Sequence, residues 1–64
     1  MRLARQVRAS RGRRGLTQAA VARKIGVSEA YVSMIESGAQ REPSLVTLQK
    51  LGKALGMHVA KLVG

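Results

Sequence analysis

Residues 17–38 contain two short helical patterns separated by only three residues, and this arrangement limits how the rest of the chain can pack. Thr17 is a favourable N-cap, because its hydroxyl can accept a hydrogen bond from a free N–H group of the first helical turn. Three apolar residues follow at helical spacing on one face: Val21, Ala22 and Ile25. Gly26 ends the pattern, because glycine adopts the left-handed conformation that closes a helix without a steric penalty. The sequence therefore predicts a helix over residues 17–25.

A second helical pattern begins almost at once. Ser28 is again an N-cap residue, and Gly38 ends this helix over residues 28–37. Its inward face is formed by Val32 and Ile35. The link is only Gly26-Val27-Ser28, and so short a turn forces the helices to cross steeply, which is helix-turn-helix geometry. A second helix held outward in this way fits the major groove of B-DNA, which is about 12 Å wide.

Three further helices are predicted around this pair. Residues 2–14 form the first, with a narrow inward stripe of Leu3, Val7 and Ser10. Pro43 and Ser44 begin another helix over residues 45–55. The inward residues expected in that helix are Leu45, Leu48, Leu51 or Gly52, and Leu55. Residues 57–63 form a final short helix, so the fold class is all-α with five helices in one domain spanning residues 1–64.

Charge is the strongest signal in the composition. Twelve Lys and Arg residues oppose three Glu residues, which gives a net charge of +9. Eight of the bases fall within residues 1–26, where there is no acid. So uneven a distribution on a small domain indicates a polyanionic partner such as nucleic acid. The alternative is a basic surface that serves only solubility.

Composition argues against several other classes of protein. The chain has no Cys, no Asp and a single histidine, His58, so it cannot form a disulfide, a thiolate metal site or a familiar catalytic triad. Gly26 and Gly38 follow no strand and precede no glycine-lysine pair, which argues against a nucleotide cradle. We therefore predict a protein that is not an enzyme and has no cofactor. No apolar run approaches a membrane span of about 18 residues, and no secretory signal is visible, so a cytoplasmic location is expected.

Residues 3–63 resemble the lambda-repressor/Cro-type helix-turn-helix domain, also called the XRE family. The matching features are Arg11, the runs Gly15-Leu16-Thr17-Gln18 and Ile25-Gly26-Val27-Ser28 with Ala22 between them, Ile35-Glu36-Ser37-Gly38, Pro43-Ser44-Leu45 and Ala54-Leu55-Gly56. They agree in register without a gap. The resemblance implies a five-helix, lambda-repressor-like DNA-binding fold with its helix-turn-helix core at residues 17–38.

The resemblance also implies roles for individual residues. The DNA-facing, base-contacting residues of the recognition helix would be Ser28, Glu29, Ala30, Ser33 and Met34. The phosphate-contacting residues would be Thr17, Gln18, Ser37, Ala39 and Arg41, partly through main-chain N–H groups. Arg11 and Glu36 would form a partly buried ion pair that fixes the recognition helix against the first helix.

Four residues depart from the family pattern. Ser10 replaces a large aliphatic residue and Gly52 replaces alanine, and each change is expected to cost about 1 kcal/mol or more in packing or helix propensity. Glu29 is acidic on the DNA-facing side, where it can accept from a cytosine N4 amine. Met34 replaces a polar or basic residue and can contact a thymine methyl. Direct readout is therefore expected to be limited, with some specificity from DNA shape.

Several residues allow two interpretations. Tyr31 either stacks on a base or forms a hydrogen bond to a phosphate, or it covers the edge of the core beside Val27. His58 is expected to be a surface or boundary histidine. Among the arginines of residues 2–14, we expect Arg11 to be internal, one or two others to approach phosphate, and the rest to be solvated.

The sequence thus predicts a sequence-specific regulator of transcription, acting as a repressor through occupancy of an operator. A homodimer on a palindrome with half-sites about 10 bp apart is expected. Its interface, or else simply the core, would include Met57, Val59, Leu62 and Val63. The class includes autonomous repressors, restriction-modification controllers and antitoxins, and a toxin or a polymerase is a conceivable protein partner. The alternatives are a protein-binding adaptor and a basic peptide on a membrane surface.

Overall fold

The structure, a computed structural model, describes residues 3–40 and 42–63. Five helices lie in these ranges: α1 (Leu3–Arg13), α2 (Gln18–Ile25), α3 (Glu29–Ser37), α4 (Leu45–Leu55) and α5 (Val59–Val63). There is no strand in the described ranges. The predicted all-α class is confirmed, and each helix begins and ends within two residues of its predicted bounds.

Local capping explains why the central helices begin and end where they do. The side chains of Thr17, Ser28 and Ser44 each accept a hydrogen bond from the backbone N–H three residues later. Gly26 follows α2 with a φ of 75°, in the left-handed region that favours glycine. Since α3 begins three residues after Gly26, this glycine sets the direction in which the second helix leaves the first.

The core is built from aliphatic side chains contributed by all five helices. α2 packs against α3 and α4, while α1 packs against α3, α4 and α5. Ten residues are buried in one cluster: Leu3, Val7, Val21, Ala22, Ile25, Val32, Ile35, Leu51, Leu55 and Leu62. Leu62 therefore belongs to the core, which was one of its two predicted positions, and it is not available to a dimer interface.

The expectation that Leu45 faces inward is wrong. Leu45 is 63% exposed and its neighbour Val46 is 58% exposed, whereas Leu51 and Leu55 are buried and Leu48 packs partly against the core. The first turn of α4 extends beyond the helices that cover its later turns. The helical spacing of apolar residues continues to the first residue of α4, but the neighbouring helices do not cover that residue.

Gly52 is not the packing defect that the sequence suggested. A Cβ atom placed on Gly52 would lie 2.5 Å from the carbonyl oxygen of Met57. The carbonyl of Gly52 in turn accepts from the N–H of Met57 at 2.7 Å. The absence of a side chain therefore lets the chain fold tightly back against α4 before α5 begins.

Ser10 is buried, with only 2% of its surface exposed, yet its hydroxyl has partners. It donates to the thioether sulfur of Met57 and accepts from the guanidinium of Arg13 at 3.1 Å. Because the hydroxyl is bonded on both sides, it avoids the cost of an unpaired buried polar group. The serine thus joins α1 to the segment between α4 and α5.

Candidate nucleic-acid interface

The residues predicted to contact bases lie on the exposed face of α3 and at its N-cap. Ser28, Glu29, Ala30, Ser33 and Met34 are exposed, and Met34 retains 43% of its surface. On a helix, the residues at 29, 30, 33 and 34 lie on one side, one turn apart. The Ser28 hydroxyl accepts from the N–H of Tyr31 at 3.1 Å, so its own proton remains free to donate. The structure brings these five residues together, and their contact with bases stays a prediction.

The two residues at the start of α2 that are predicted to contact phosphate differ in exposure and in the hydrogen bonds they already form. Thr17 is exposed, and its oxygen accepts from the N–H of Ala20 at 3.0 Å while its O–H remains free to donate. Gln18 is half-buried, and its Nε2 atom donates to Oε1 of Glu36 at 3.2 Å. Because a carboxylate only accepts, the Gln18 amide nitrogen must face Glu36, which leaves one amide N–H for an outside group.

The groups after α3 that are predicted to contact phosphate largely form hydrogen bonds within the protein. The hydroxyl of Ser37 donates to the carbonyl of Met34 at 3.1 Å and accepts from the N–H of Ala39 at 3.3 Å. The N–H of Gln40 also donates to the Met34 carbonyl, at 3.0 Å. A main-chain contact from Ala39 to phosphate would therefore have to replace its bond to Ser37. Arg41 lies outside the described residues.

Arg11 and Glu36 connect α1 to the back of α3. Arg11 Nε lies 2.6 Å from Glu36 Oε2, and its NH2 group donates to Oε1 at 3.0 Å, which makes the contact bidentate. A third bond joins Arg11 NH1 to the carbonyl of Leu16 at 2.9 Å. The Glu36 side chain is 4% exposed and that of Arg11 21%. The structure thus brings these residues together in the arrangement that the resemblance implies.

The hydrogen bond from Arg11 to Glu36 raises the pKa of the guanidinium above its ordinary value, despite the opposing effect of burial. A raised pKa means that the contribution of Arg11 to stability is fully present below its unfolded pKa. The contribution is lost only as pH rises through the folded value, in the strongly alkaline range. The contribution of Arg11 to stability therefore does not change with pH near neutrality.

The Glu36 carboxylate has a second partner in addition to Arg11, because it also accepts a hydrogen bond from Gln18. One buried carboxylate thus joins the first turn of α2, the end of α1 and the inner side of α3. The sequence indicated roles for Gln18 and Glu36 but not their contact. The available signal was an amide at the first position of α2, a residue type that can reach a neighbouring helix.

Arg8, Arg13 and Arg14 are exposed, which agrees with the expectation that the arginines of residues 2–14 are largely solvated, but each also donates a hydrogen bond within the protein. Arg8 donates to the carbonyl of Glu36 at 3.3 Å, and Arg13 donates to Ser10. Arg14 Nε donates to the carbonyl of Leu55 at 2.7 Å, at the end of α4. The bonds from Arg8 and Arg14 hold α1 and the turn after it against α3 and α4, whereas the bond from Arg13 lies within α1. Arg14 and Leu55 are 41 residues apart, so no local pattern could indicate their contact.

Tyr31 and His58 occupy the structural positions that the sequence left open for them. Tyr31 packs partly against the core, as in the second of its two interpretations. His58 is exposed beside the start of α5.

Within residues 3–40 and 42–63 there is no group of three or more His, Cys, Asp and Glu residues that could hold a metal ion. No helix in those ranges is both long enough and apolar enough to cross a membrane.

Five short helices, with a steep three-residue turn before an exposed third helix, define a helix-turn-helix domain. Residues 7–62 match the helix-turn-helix family, and the chain belongs to that family. It is 42% identical over 53 residues to an uncharacterised helix-turn-helix-type transcriptional regulator of Sinorhizobium fredii, covering 83% of this chain and 68% of that protein. It is 38% identical over 64 residues to the immunity repressor protein of Bacillus phage phi105, covering 100% of this chain and 44% of that protein.

These similarities confirm the resemblance to the lambda-repressor/Cro type and the predicted class, a DNA-binding transcriptional regulator. The present chain spans about two thirds of the first relative, at 68%, and less than half of the second, at 44%. The activity and partners of the complete proteins are therefore matters for proposal.

Proposed function

We propose that this chain binds double-stranded DNA sequence-specifically and represses transcription by occupying an operator. The observation that carries the proposal is the division of α3 into two faces. Its inner face is buried through Val32, Ile35 and Glu36, while Ser33 and Met34 on the outer face are exposed to solvent. A recognition helix that is fixed from behind and free in front suits insertion into the major groove.

The chemistry of the outer face predicts how bases are read. Ser33 can donate to or accept from base edges, and the thioether side chain of Met34 suits a thymine methyl. Glu29 can accept from a cytosine N4 amine, but it repels nearby phosphates. No Arg or Lys lies within α3, so paired hydrogen bonds from a guanidinium to guanine are absent from this helix. Part of the specificity would then depend on DNA shape.

Attachment to the DNA backbone would come from the ends of the helices. Thr17 and Gln18 each retain one donor at the start of α2, close to where a phosphate would flank the groove. Phosphate contacts of this kind fix the register of a recognition helix without reading sequence. Ser37, Ala39 and Arg41 complete the proposed backbone contacts on the other side of α3.

Binding as a two-fold dimer would supply the remaining specificity. α3 has nine residues and can reach only a few base pairs of one half-site. Two copies on a palindrome would place their recognition helices in successive major grooves, with half-site centres about 10 bp apart. Met57 and Val59 are the half-buried residues that we assign to the interface. Val63 was included in that prediction, but its side chain lies outside the described part of the structure.

The experiment selects bound duplexes from a random-sequence pool and measures their affinity by fluorescence anisotropy at about 50 and 200 mM salt. We expect a palindromic motif and a steep loss of affinity with salt. The double variant Ser33→Ala, Met34→Ala should change or lose the motif. Gln49→Ala, at an exposed position of α4, is the matched control and should retain it.

Binding without a motif in the wild-type protein, with only salt-sensitive affinity, would contradict the proposal. The net charge would then explain nonspecific attraction alone, and a protein partner such as a toxin or polymerase would become the leading function. If a motif does emerge, its half-site spacing tests the dimer separately. Operator occupancy also places the protein on the nucleoid, in the cytoplasm of a bacterial-type cell.

A further inference from the structure

A concentration of positive charge lies apart from the outer face of α3, which itself carries no Arg or Lys. The last turn of α2 and the second half of α4 border a shallow, open cleft of about 620 Å³. Four of its seven lining residues are cationic, namely Arg23, Lys24, Lys50 and Lys53, and no acidic residue lines it. None of the residues predicted to contact DNA belongs to this lining.

The preference for basic residues at the C-terminal ends of helices does not account for all four cations of this cluster. Basic residues in the last turn of a helix are favoured by its dipole, which covers Arg23, Lys24 and Lys53. Lys50 lies in the middle of α4, where that effect is absent. No hydrogen bond or ion pair within the described ranges joins any of the four cationic groups to the protein. They therefore converge from two helices without being neutralised.

The cleft also lies at the opposite end of α2 from the proposed phosphate contacts. Thr17 and Gln18 are at the start of that helix, whereas Arg23 and Lys24 occupy its last turn. Eight helical residues extend about 12 Å. The cationic residues of α2 thus lie at the opposite end of the helix from the residues predicted to contact phosphate there.

We propose that this cleft binds an acidic segment of another protein. Its cations come from two helices, with Arg23 and Lys24 on the α2 side and Lys50 and Lys53 on the α4 side, and we call these sides its two walls. Successive side chains of an extended segment point to opposite sides, so a run of Asp and Glu residues presents carboxylates to both walls.

The size of the cleft supports the same choice of ligand. Concave sites of roughly 300–1,000 Å³ accommodate small molecules or a few residues of a peptide. Two of the lining residues, Gly26 and Ala54, are small, and a Cβ atom at Gly26 would meet nothing within 4 Å. A narrow extended chain can therefore lie between the cationic walls.

The test measures binding of a fluorescein-labelled peptide of ten alternating Asp and Glu residues, with the Asn/Gln peptide of the same length as a ligand control. The charge-reversal variant Lys50→Glu, Lys53→Glu should weaken binding about tenfold, because close attraction becomes repulsion. The matched variant Arg5→Glu, Lys61→Glu changes the net charge equally at exposed positions outside the cleft, and should weaken binding less than about twofold. Circular dichroism checks that both variants remain folded, and Lys50→Gln, Lys53→Gln provides a milder change.

NMR chemical shifts then locate the ligand. We expect the peptide to shift the amide signals of Gly26 and Ala54 but not that of Ser33, and a duplex to bind the peptide-loaded protein. Equal weakening in the two charge-reversal variants would overturn the proposal, since it would show only diffuse attraction. Displacement of the peptide by duplex, or equally tight binding of polyphosphate with the same shifts, would also overturn it. None of these outcomes affects operator binding, which selection from the random pool tests separately.

Discussion

Gly52→Ala provides the sharpest test of the packing argument, because two physical effects predict opposite results. Within a helix, alanine is favoured over glycine by about 1 kcal/mol, so propensity alone predicts a more stable protein. At Gly52, however, the new methyl group would lie 2.5 Å from the carbonyl oxygen of Met57, where ordinary contact requires at least 3.4 Å. The atom in the way belongs to the backbone and cannot rotate aside.

The expected magnitude follows from the displacement required. The Met57 carbonyl must move by about 0.9 Å, and overpacking of this kind costs roughly 1–3 kcal/mol. The movement also strains the bond from the Met57 N–H to the Gly52 carbonyl, which is worth about 1 kcal/mol. After subtraction of the propensity gain, we expect a net loss of about 1–2 kcal/mol. In a domain of this size that corresponds to a fall in Tm of roughly 5–15 °C.

Thermal unfolding followed by circular dichroism measures this change directly. Gly12→Ala is the matched control, because Gly12 lies in α1, is exposed, and would place a Cβ atom with no neighbour within 4 Å. That substitution should raise stability by up to about 1 kcal/mol, since it gains propensity without a clash. A rise in Tm for Gly52→Ala similar to that for Gly12→Ala would refute the reasoning, because it would mean that the Met57 carbonyl moves aside freely.

Three further substitutions test the polar contacts. Glu36→Gln should lower the free energy of unfolding by about 2–3 kcal/mol, because Arg11 is left partly buried without its charged partner; an unchanged urea midpoint would show that the pair is not a scaffold. Arg14→Lys keeps the charge but loses the guanidinium bond to the Leu55 carbonyl, so we expect the free energy of unfolding, measured by thermal unfolding, to fall by about 1 kcal/mol. The affinity for random duplex should stay within about twofold of the wild-type value. Glu29→Gln should raise affinity for random duplex a few-fold and reduce discrimination among motifs in anisotropy titrations, and a fall in random-duplex affinity would count against a DNA-facing Glu29.

The helix bounds could be predicted because their signals are local. A serine or threonine that caps a helix bonds to an N–H three residues away, and a glycine that ends one acts through its own backbone. Thr17, Ser28 and Ser44 all act in this way. The exposed position of Leu45 could not be predicted, because periodicity does not report where a neighbouring helix stops covering α4.

The contacts of the candidate site were predictable only where the family resemblance supplied them. The pairing of Arg11 with Glu36 spans 25 residues and came from the resemblance. The bond from Gln18 to Glu36 and that from Arg14 to the Leu55 carbonyl depend on how whole helices dock. Gly52 was misjudged for a related reason, since a comparison with alanine considers the helix alone and not the Met57 carbonyl opposite it.

The locally encoded caps of α2, α3 and α4 also bear on how fast the protein becomes active. Each helix is limited at its start and end before any docking occurs, so the search during folding reduces to assembling short, predefined pieces. Helical domains dominated by such nearby contacts fold on the order of microseconds to milliseconds. Ribosomes add only about 5–20 residues per second, so translation takes seconds. For a chain that represses as we propose, the delay between expression and operator occupancy would be set by synthesis and by encounter with the operator, and folding would add almost nothing.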